Sequence, residues 1–445
     1  MSPPTQSPDG AASNGLTLQQ AIAEAHRCLL CHDAPCSKGC PGGTDPSKFI
    51  RQIRFYNFKG AARTVLRNNP LGGVCAYVCP TEETCRHACL RGEIDTPIDI
   101  DGLQRFAVEY GRSQGLTVLE KGQDKAARIA VIGAGPAGLA AAANLARFGY
   151  KVTVFEARAE AGGMLRYGVP AHRLPLEALN ADVREIQSLG VEIKTSHPID
   201  RENATALLDQ GYAAVFVAPG LWKAFELNLP GKDLQGVGTA LEFLELARTD
   251  TQAAAQRVAG RNIAVIGGGA VAMDVAHTAR ELGAQRIYVL TLEGLSELPA
   301  TAAELDQARE DHIIFKPQSR VVAIAGQGGF VTGLQGCETE WVVKGKLTPD
   351  NARDVDGTGF ELRVGAVIQA IGQGPSEVVG RILSQAERKG RLVAADAVTL
   401  ATSVDRVFAG GDIVRGAATV VKAVADGKRA ADAIHKMLKG TEVTA

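Results

Sequence analysis

The chain has almost no charge imbalance. Its 48 Lys and Arg residues face 49 Asp and Glu, giving a net charge of −1 and a pI near 6.7. Proteins that grip nucleic acid or an anionic membrane carry a cationic surplus, so this balance gives no electrostatic case for either. Long apolar runs are missing too: no stretch of about 18 apolar residues occurs, which argues against a transmembrane helix. The opening segment MSPPTQSPDGAASNG has neither basic residues nor an apolar core. Residues 1–16 therefore read as a disordered tail and not as a signal peptide, and the expected location is cytoplasmic. Aromatic residues are scarce at 5%.

Two residue types stand out against this background. Glycine is abundant at 50 residues, which suits several tight phosphate-binding turns. Cysteine is concentrated: eight of the nine lie in the first ninety residues. They read Cys28-x2-Cys31-x4-Cys36-x3-Cys40-Pro41 and Cys75-x3-Cys79-Pro80-x4-Cys85-x3-Cys89. In a reducing compartment, clustered cysteines are more often metal ligands than disulfides. Zinc is the main competing reading, since CxxC also opens zinc sites. The Cys-Pro closures and the spacing of four, then three, fit iron–sulfur clusters better. A [4Fe–4S] cluster takes four thiolates, and in two-cluster runs the last Cys before Pro serves the other cluster. Cys28, Cys31 and Cys36 would start one cluster and Cys40 would belong to the second, with the later block divided in the same crossed way. Cys337 stands alone and reads as a bystander thiol.

The length of 445 residues allows about three domains. Residues 17–113 read as mainly helical, with apolar stripes at Leu18, Ile22 and Ala25, at Phe49, Ile50 and Ile53, and at Leu103, Phe106, Ala107 and Tyr110. A polar linker follows at 114–126. At Arg128 the pattern becomes strand, glycine turn, helix from Pro136 to Phe148, and strand from Lys151 to Phe155: a βαβ unit. The same grammar returns at 262–291. Residues 319–369 alternate short strand-like runs with glycine turns, and a last helix spans Ala417 to Leu438.

Each βαβ unit carries a dinucleotide fingerprint. In Gly133-x-Gly135-x-x-Gly138 the first glycine permits a tight turn, the second admits a pyrophosphate, and the third allows close helix–strand packing. Glu156, at the end of the next strand, can bind ribose hydroxyls. Strand, helix and acid together make the signal strong. Gly162-Gly163-Met164-Leu165 and Gly411-Asp412 in VFAGGD suit a flavin, so this first site is assigned to FAD through Gly163, Leu165, Gly411 and Asp412. The second fingerprint is Gly267-x-Gly269-x-x-Ala272, with Asp274 just inside its helix; Ala is an accepted third residue. It is assigned to the nicotinamide donor. The strand after it ends Thr291-Leu292-Glu293, a neutral side chain and a carboxylate where a 2′-phosphate would need cations, so NADH is expected over NADPH. Arg286, the nearest guanidinium in sequence, lies at the opposite end of that strand.

The order of helical cluster domain, FAD unit and inserted nicotinamide unit resembles the glutamate synthase small-subunit-like superfamily, over essentially the whole chain beyond the tail. The words CLLCHDAPCSKGCPGGTDPSKFI, NPLGGVCAYVCPTEETCRHAC and PIDIDGLQRF resemble its dihydropyrimidine dehydrogenase branch, and most of all the flavin and iron–sulfur subunit of the bacterial NAD-dependent enzyme. The resemblance implies one cluster on Cys28, Cys31, Cys36 and Cys89, and another on Cys40, Cys79, Cys85 and Gln104, leaving Cys75 unligated. If Gln104 is only a helix-surface residue, Cys75 is the natural fourth ligand.

The fold class expected is α/β with an N-terminal all-α iron–sulfur domain and two Rossmann-like domains, the NAD domain inserted into the FAD domain. The boundaries expected are 17–125 for the double [4Fe–4S] domain, 126–235 and 373–445 for the FAD domain, and 236–372 for the NAD(H) domain. The implied activity is electron input to NAD-dependent dihydropyrimidine dehydrogenase. NADH reduces FAD, single electrons pass through two [4Fe–4S] clusters, and a partner reduces uracil or thymine. That partner is implied to be an FMN- and iron–sulfur-bearing, dihydroorotate-dehydrogenase-like barrel subunit in a heterotetramer. No catalytic acid or base is named, because hydride transfer to FAD needs none. Two alternatives are a glutamate synthase small subunit and a non-enzymatic redox sensor.

Overall fold

The computed structural model describes residues 15–199 and 203–442. The expected tail lies outside them but for Gly15 and Leu16. The chain forms two compact units. The larger takes in the chain to Arg166, Ala171–Leu221 and Pro375 onward; the smaller takes in Tyr167–Pro170 and Trp222–Gly374.

In the larger unit the N-terminal part is helical. Leu18–Arg27 starts at a capping box in which the Thr17 hydroxyl accepts from the Gln20 amide and the Gln20 side chain accepts from the Thr17 amide. Its inward face is built on Ala21 and Ala25, while Leu18, expected in that stripe, is 48% exposed. Small residues let this helix lie close to Pro46–Arg54, whose Phe49, Ile50 and Ile53 are fully buried. Helices Phe58–Asn68 and Ile100–Ser113 close the core with Val65, Leu66, Leu103 and Phe106. Each fully buried side chain of this size stabilises the fold by about 1.5–3 kcal/mol. Cys85 belongs to this core, and Cys28, Cys36 and Cys89 pack at its edge.

The remainder of the unit is a parallel five-stranded sheet in the order Val407–Ala409, Ala214–Val217, Arg128–Ile132, Lys151–Phe155, Glu192–Lys194. Its first and second strands in sequence are buried at every residue but the first, as a sheet covered on both faces requires. The order reverses beside Arg128–Ile132, and ligands of such sheets bind at the carboxyl ends of the strands there. The strand Val407–Ala409 and the helix Val420–Glu442 return from the far end of the chain to complete it.

The smaller unit repeats the plan: Val237–Thr239, Ala366–Gln369, Asn262–Ile266, Arg286–Leu290, Ile314–Lys316, all parallel. Its antiparallel appendage pairs Ser319–Gln327 with Phe330–Trp341. Trp222–Gln235, assigned to the flavin domain from sequence, packs with this unit. Lys223–Ala224 pairs with Gln373–Gly374, and the Leu227 amide donates to the buried Gln369 side chain at 2.7 Å. No helix among the described residues is long and apolar enough to cross a membrane.

Candidate redox site

The first cysteine group is assembled by a bent loop. Cys28 ends the helix Leu18–Arg27, donating its amide to Ala25. Leu30 and Asp33 adopt φ of 53° and 56°, which turns the chain back on itself. A short helix, Pro35–Lys38, then presents Cys36. Cys28, Cys31, Cys36 and Cys89 line one hollow with Ile50, Ile98 and Ile100. The Arg54 guanidinium donates to the Cys28 carbonyl at 2.9 Å and ties the loop to the core. Burial pushes the Cys28 thiol up and the Cys36 thiol to about 11, and the neighbouring Cys28 and Cys89 sulfurs add to the second shift.

The second group forms around the helix Gly72–Val78. Cys79 caps its C-terminus and donates its amide to the Cys75 carbonyl at 3.2 Å. Burial pushes Cys79 and Cys85 to about 12, and the sulfur of Cys40 raises both further. Cys40 itself accepts from the Thr44 amide at 3.4 Å. Cys75 is 4% exposed, its thiol raised by burial and then by Cys79. Gln104 is 7% exposed, on the helix Ile100–Ser113. It lies one turn beyond Asp101, whose carboxylate raises the Cys79 and Cys85 thiols. Its amide nitrogen donates to the Gly72 carbonyl at 2.7 Å, so the amide oxygen is the end left for another partner.

All nine cysteines are free thiols. Eight sulfurs in two crowded, half-dry groups would repel one another as thiolates. Iron bound between them removes that cost, and the donor set fits [4Fe–4S] clusters. Cys337 lies on Phe330–Trp341, in the smaller unit.

The first glycine fingerprint forms a cradle. Gly133 has φ of 99°, and a Cβ on it would lie 2.5 Å from the Ala218 carbonyl oxygen. A Cβ on Gly138 would lie 1.9 Å from the Gly133 carbonyl oxygen. At Gly135 the same atom would meet only Gly163 Cα, at 3.9 Å. The backbone there is open to an approaching pyrophosphate, beside the N-terminus of the helix Pro136–Arg147. Gly163 has φ of 56° and faces Gly135 backbone to backbone. Leu165 is fully buried, so its side chain serves the core. Glu156 is buried and accepts from the amides of Ala134 at 2.8 Å and Arg158 at 2.9 Å, so the protein's own loop already engages both its oxygens. Asp412 opens a short helix after Gly411; burial pushes its carboxyl to about 6, against the pull of the Ala418 amide. An FAD fits this cradle.

Two residues passed over in sequence hold it together. Asp426 is fully buried; it accepts from the Gly411 amide at 3.0 Å and from Arg415 at 2.6 Å, and pairs with Arg429. Gly427 lets the C-terminal helix touch the fingerprint helix, since a Cβ there would sit 2.1 Å from the Ala137 carbonyl oxygen. A glycine inside a long helical pattern was the available signal.

In the smaller unit Gly267 has φ of 130°, and a Cβ would lie 2.4 Å from the Ala370 carbonyl oxygen. Gly269 precedes the helix Ala270–Glu281 and would meet only Pro299, at 3.8 Å. Ala272 is fully buried in the third position, and Asp274 lies half-buried on the same helix. Thr291 follows the strand Arg286–Leu290, its hydroxyl donating to the Glu293 carbonyl at 2.8 Å. Lys316 ends the adjacent strand, but its ammonium stacks over Phe360 at 4.1 Å. Arg286 is exposed at the start of its strand. A nicotinamide dinucleotide fits this second cradle.

A cavity of about 600 Å³ lies between Gly73, Arg112 and Arg184 in the larger unit. Its arginines are paired with Glu109, Asp182 and Glu177.

Comparison with known proteins identifies the family of each part of the chain. Residues 9–116 match the family "dihydropyrimidine dehydrogenase domain II, 4Fe-4S cluster", and residues 127–427 match the pyridine nucleotide-disulphide oxidoreductases. Mycobacterium tuberculosis FprA in complex with NADPH shares the fold, with a TM-score of 0.60 over 72% of this chain and 86% of that one, at 18% identity. The chain is thus a flavin- and nicotinamide-binding oxidoreductase with a 4Fe–4S domain. It is 40% identical over 422 residues to the NAD-dependent dihydropyrimidine dehydrogenase subunit PreT of Escherichia coli K12, covering 94% of this chain and 95% of that one. It belongs to the PreT family, as an NAD(P)H-dependent electron-transfer subunit. The beta subunit of an NADP(+)-dependent formate dehydrogenase from Moorella thermoacetica is 36% identical over 438 residues, 91% of this chain and 60% of that longer one.

Proposed function

We propose that this chain is the electron-input subunit of an NAD-dependent dihydropyrimidine dehydrogenase and carries two [4Fe–4S] clusters. FAD, when bound, takes a hydride from NADH and gives up electrons singly, which clusters can accept. The chain's own residues bind and orient. Gly133, Gly135 and Gly138, with Gly163, Gly411 and Asp412, would seat the flavin nucleotide; Gly267, Gly269, Ala272 and Asp274 would seat the nicotinamide nucleotide. Glu293 would turn away a 2′-phosphate. Cys28, Cys31, Cys36 and Cys89 would hold one cluster, and Cys40, Cys79, Cys85 and Gln104 the other, the glutamine through the amide oxygen that its bond to Gly72 leaves free.

The observation that carries this reading is that eight of the nine cysteines lie in the same compact unit as the first glycine fingerprint. Beside the first group Leu29, Leu90 and Ile94 are 41–65% exposed, an apolar margin where electrons can leave the chain. Pyrimidine reduction needs a further flavin and a proton donor over the ring, and no set of eight βα units for a barrel occurs among the described residues. A PreA-type FMN barrel subunit would supply them, in a heterotetramer, in the cytoplasm. Coexpression with such a subunit tests this. Steady-state NADH turnover should then depend on uracil or thymine, and this chain alone should be reduced by NADH without pyrimidine-dependent turnover. Pyrimidine-independent turnover, or glutamine- and 2-oxoglutarate-dependent turnover with a glutamate synthase large subunit, would reject it.

A further inference from the structure

Lys428 is a half-buried cation with no place in the scheme above. It lies on the C-terminal helix Val420–Glu442, two residues beyond Asp426, which fixes the Gly411 turn of the flavin cradle. Its ammonium donates to the carbonyls of Gly42 and Asn68, at 2.6 Å each. Gly42 belongs to the turn that follows Cys40, whose sulfur interacts with the Lys428 charge. Contact continues two turns earlier on the same helix: a Cβ on Gly42 would lie 3.0 Å from Val421. The same helix therefore grips the flavin turn through Asp426, the fingerprint helix at Gly427, and the second cysteine group through Lys428.

We infer that Lys428 is a positioning residue that couples the flavin cradle to the second cysteine group, and that its charge raises the reduction potential of the cluster held there. This rests on the function proposed above. The step is transfer of one electron, lost by the reduced flavin and gained by the oxidised cluster, with NADH as the source and the flavin proton released to water. Reduction adds a negative charge to the cluster, and a cation in a low-dielectric setting stabilises that state, so it raises the reduction potential.

The test is potentiometric titration of the holoprotein by electron paramagnetic resonance, in the parent, Lys428→Met, Lys428→Gln and Lys428→Arg. Cys31→Ser tells the two cluster signals apart, since it alters only the first. In Lys428→Met and Lys428→Gln the second cluster's potential should fall by about 59 mV, a tenfold loss in the one-electron equilibrium, with the first cluster unmoved. Lys428→Arg should keep the parent value. If the uncharged variants lose the second cluster's iron while Lys428→Arg retains it, positioning by the cation is supported. Unchanged potentials, equal shifts in both clusters, a shift confined to the first, or iron loss in Lys428→Arg as well would overturn the inference. A parent without two clusters, or not bleached by NADH, would instead sink the underlying function.

Discussion

Gln104 and Cys75 compete for one role, and their surroundings separate them. Both are buried, but the Gln104 amide is oriented by the Gly72 carbonyl, whereas the Cys75 thiol is held by the Asn69 side chain. Gln104→Ala should therefore lower iron content or change the signal of one cluster, while Cys75→Ala should leave about eight irons per chain. The reverse result would make Cys75 the eighth ligand. Glu293 decides a different question. Removing one like charge beside a 2′-phosphate is worth about 1 kcal/mol at a surface. Glu293→Gln should improve NADPH use relative to NADH by roughly fivefold in kcat/KM, measured by flavin bleaching. Equal ratios in parent and variant would show that other residues set the preference.

At the scale of elements, the repeated βαβ grammar was legible because glycine positions and strand hydrophobicity are local signals. The glycines at 133, 138 and 267 each sit where a Cβ would strike a carbonyl, so sequence spacing maps directly onto sterics. The helix Val420–Glu442 was legible as a helix but not as a tie, because the partners of Asp426 and Lys428 lie 15 and 386 residues away in sequence. The ion set on the helix Ala270–Glu281 was equally hidden. Burial alone would push the His277 imidazole down, but hydrogen bonds to Glu281 and Asp311 outweigh it and raise it to about 9. Its folded value exceeds the unfolded one, so its stabilising contribution is complete below about pH 6.5 and is lost as pH rises through about 9. Thermal melting of the parent should weaken between pH 7 and about 9.5, and His277→Gln should flatten that slope. An identical slope in the variant would assign the pH dependence elsewhere.

For the whole molecule, cysteine spacing announced iron and two fingerprints announced dinucleotides, but the division of ligands between clusters came from resemblance. The fold brings sulfurs of both blocks together. Two helices, Pro46–Arg54 and Phe58–Asn68, lie between the blocks, and their packing brings Cys89 back to Cys28 while Cys40 is carried over to Cys79 and Cys85. What a linear reading could not supply is which sulfurs meet, since that depends on the path of the chain between them. If the molecule is a conduit from nicotinamide to clusters, its redox centres should fill in a counted way. The most direct measurement is anaerobic titration of the purified chain with NADH, followed by absorbance and electron paramagnetic resonance. One FAD and two one-electron clusters require about two equivalents of NADH, with flavin bleaching and the appearance of reduced-cluster signals. Bleaching that ends at about one equivalent with no cluster signal, or a protein that holds zinc in place of iron, would contradict the account.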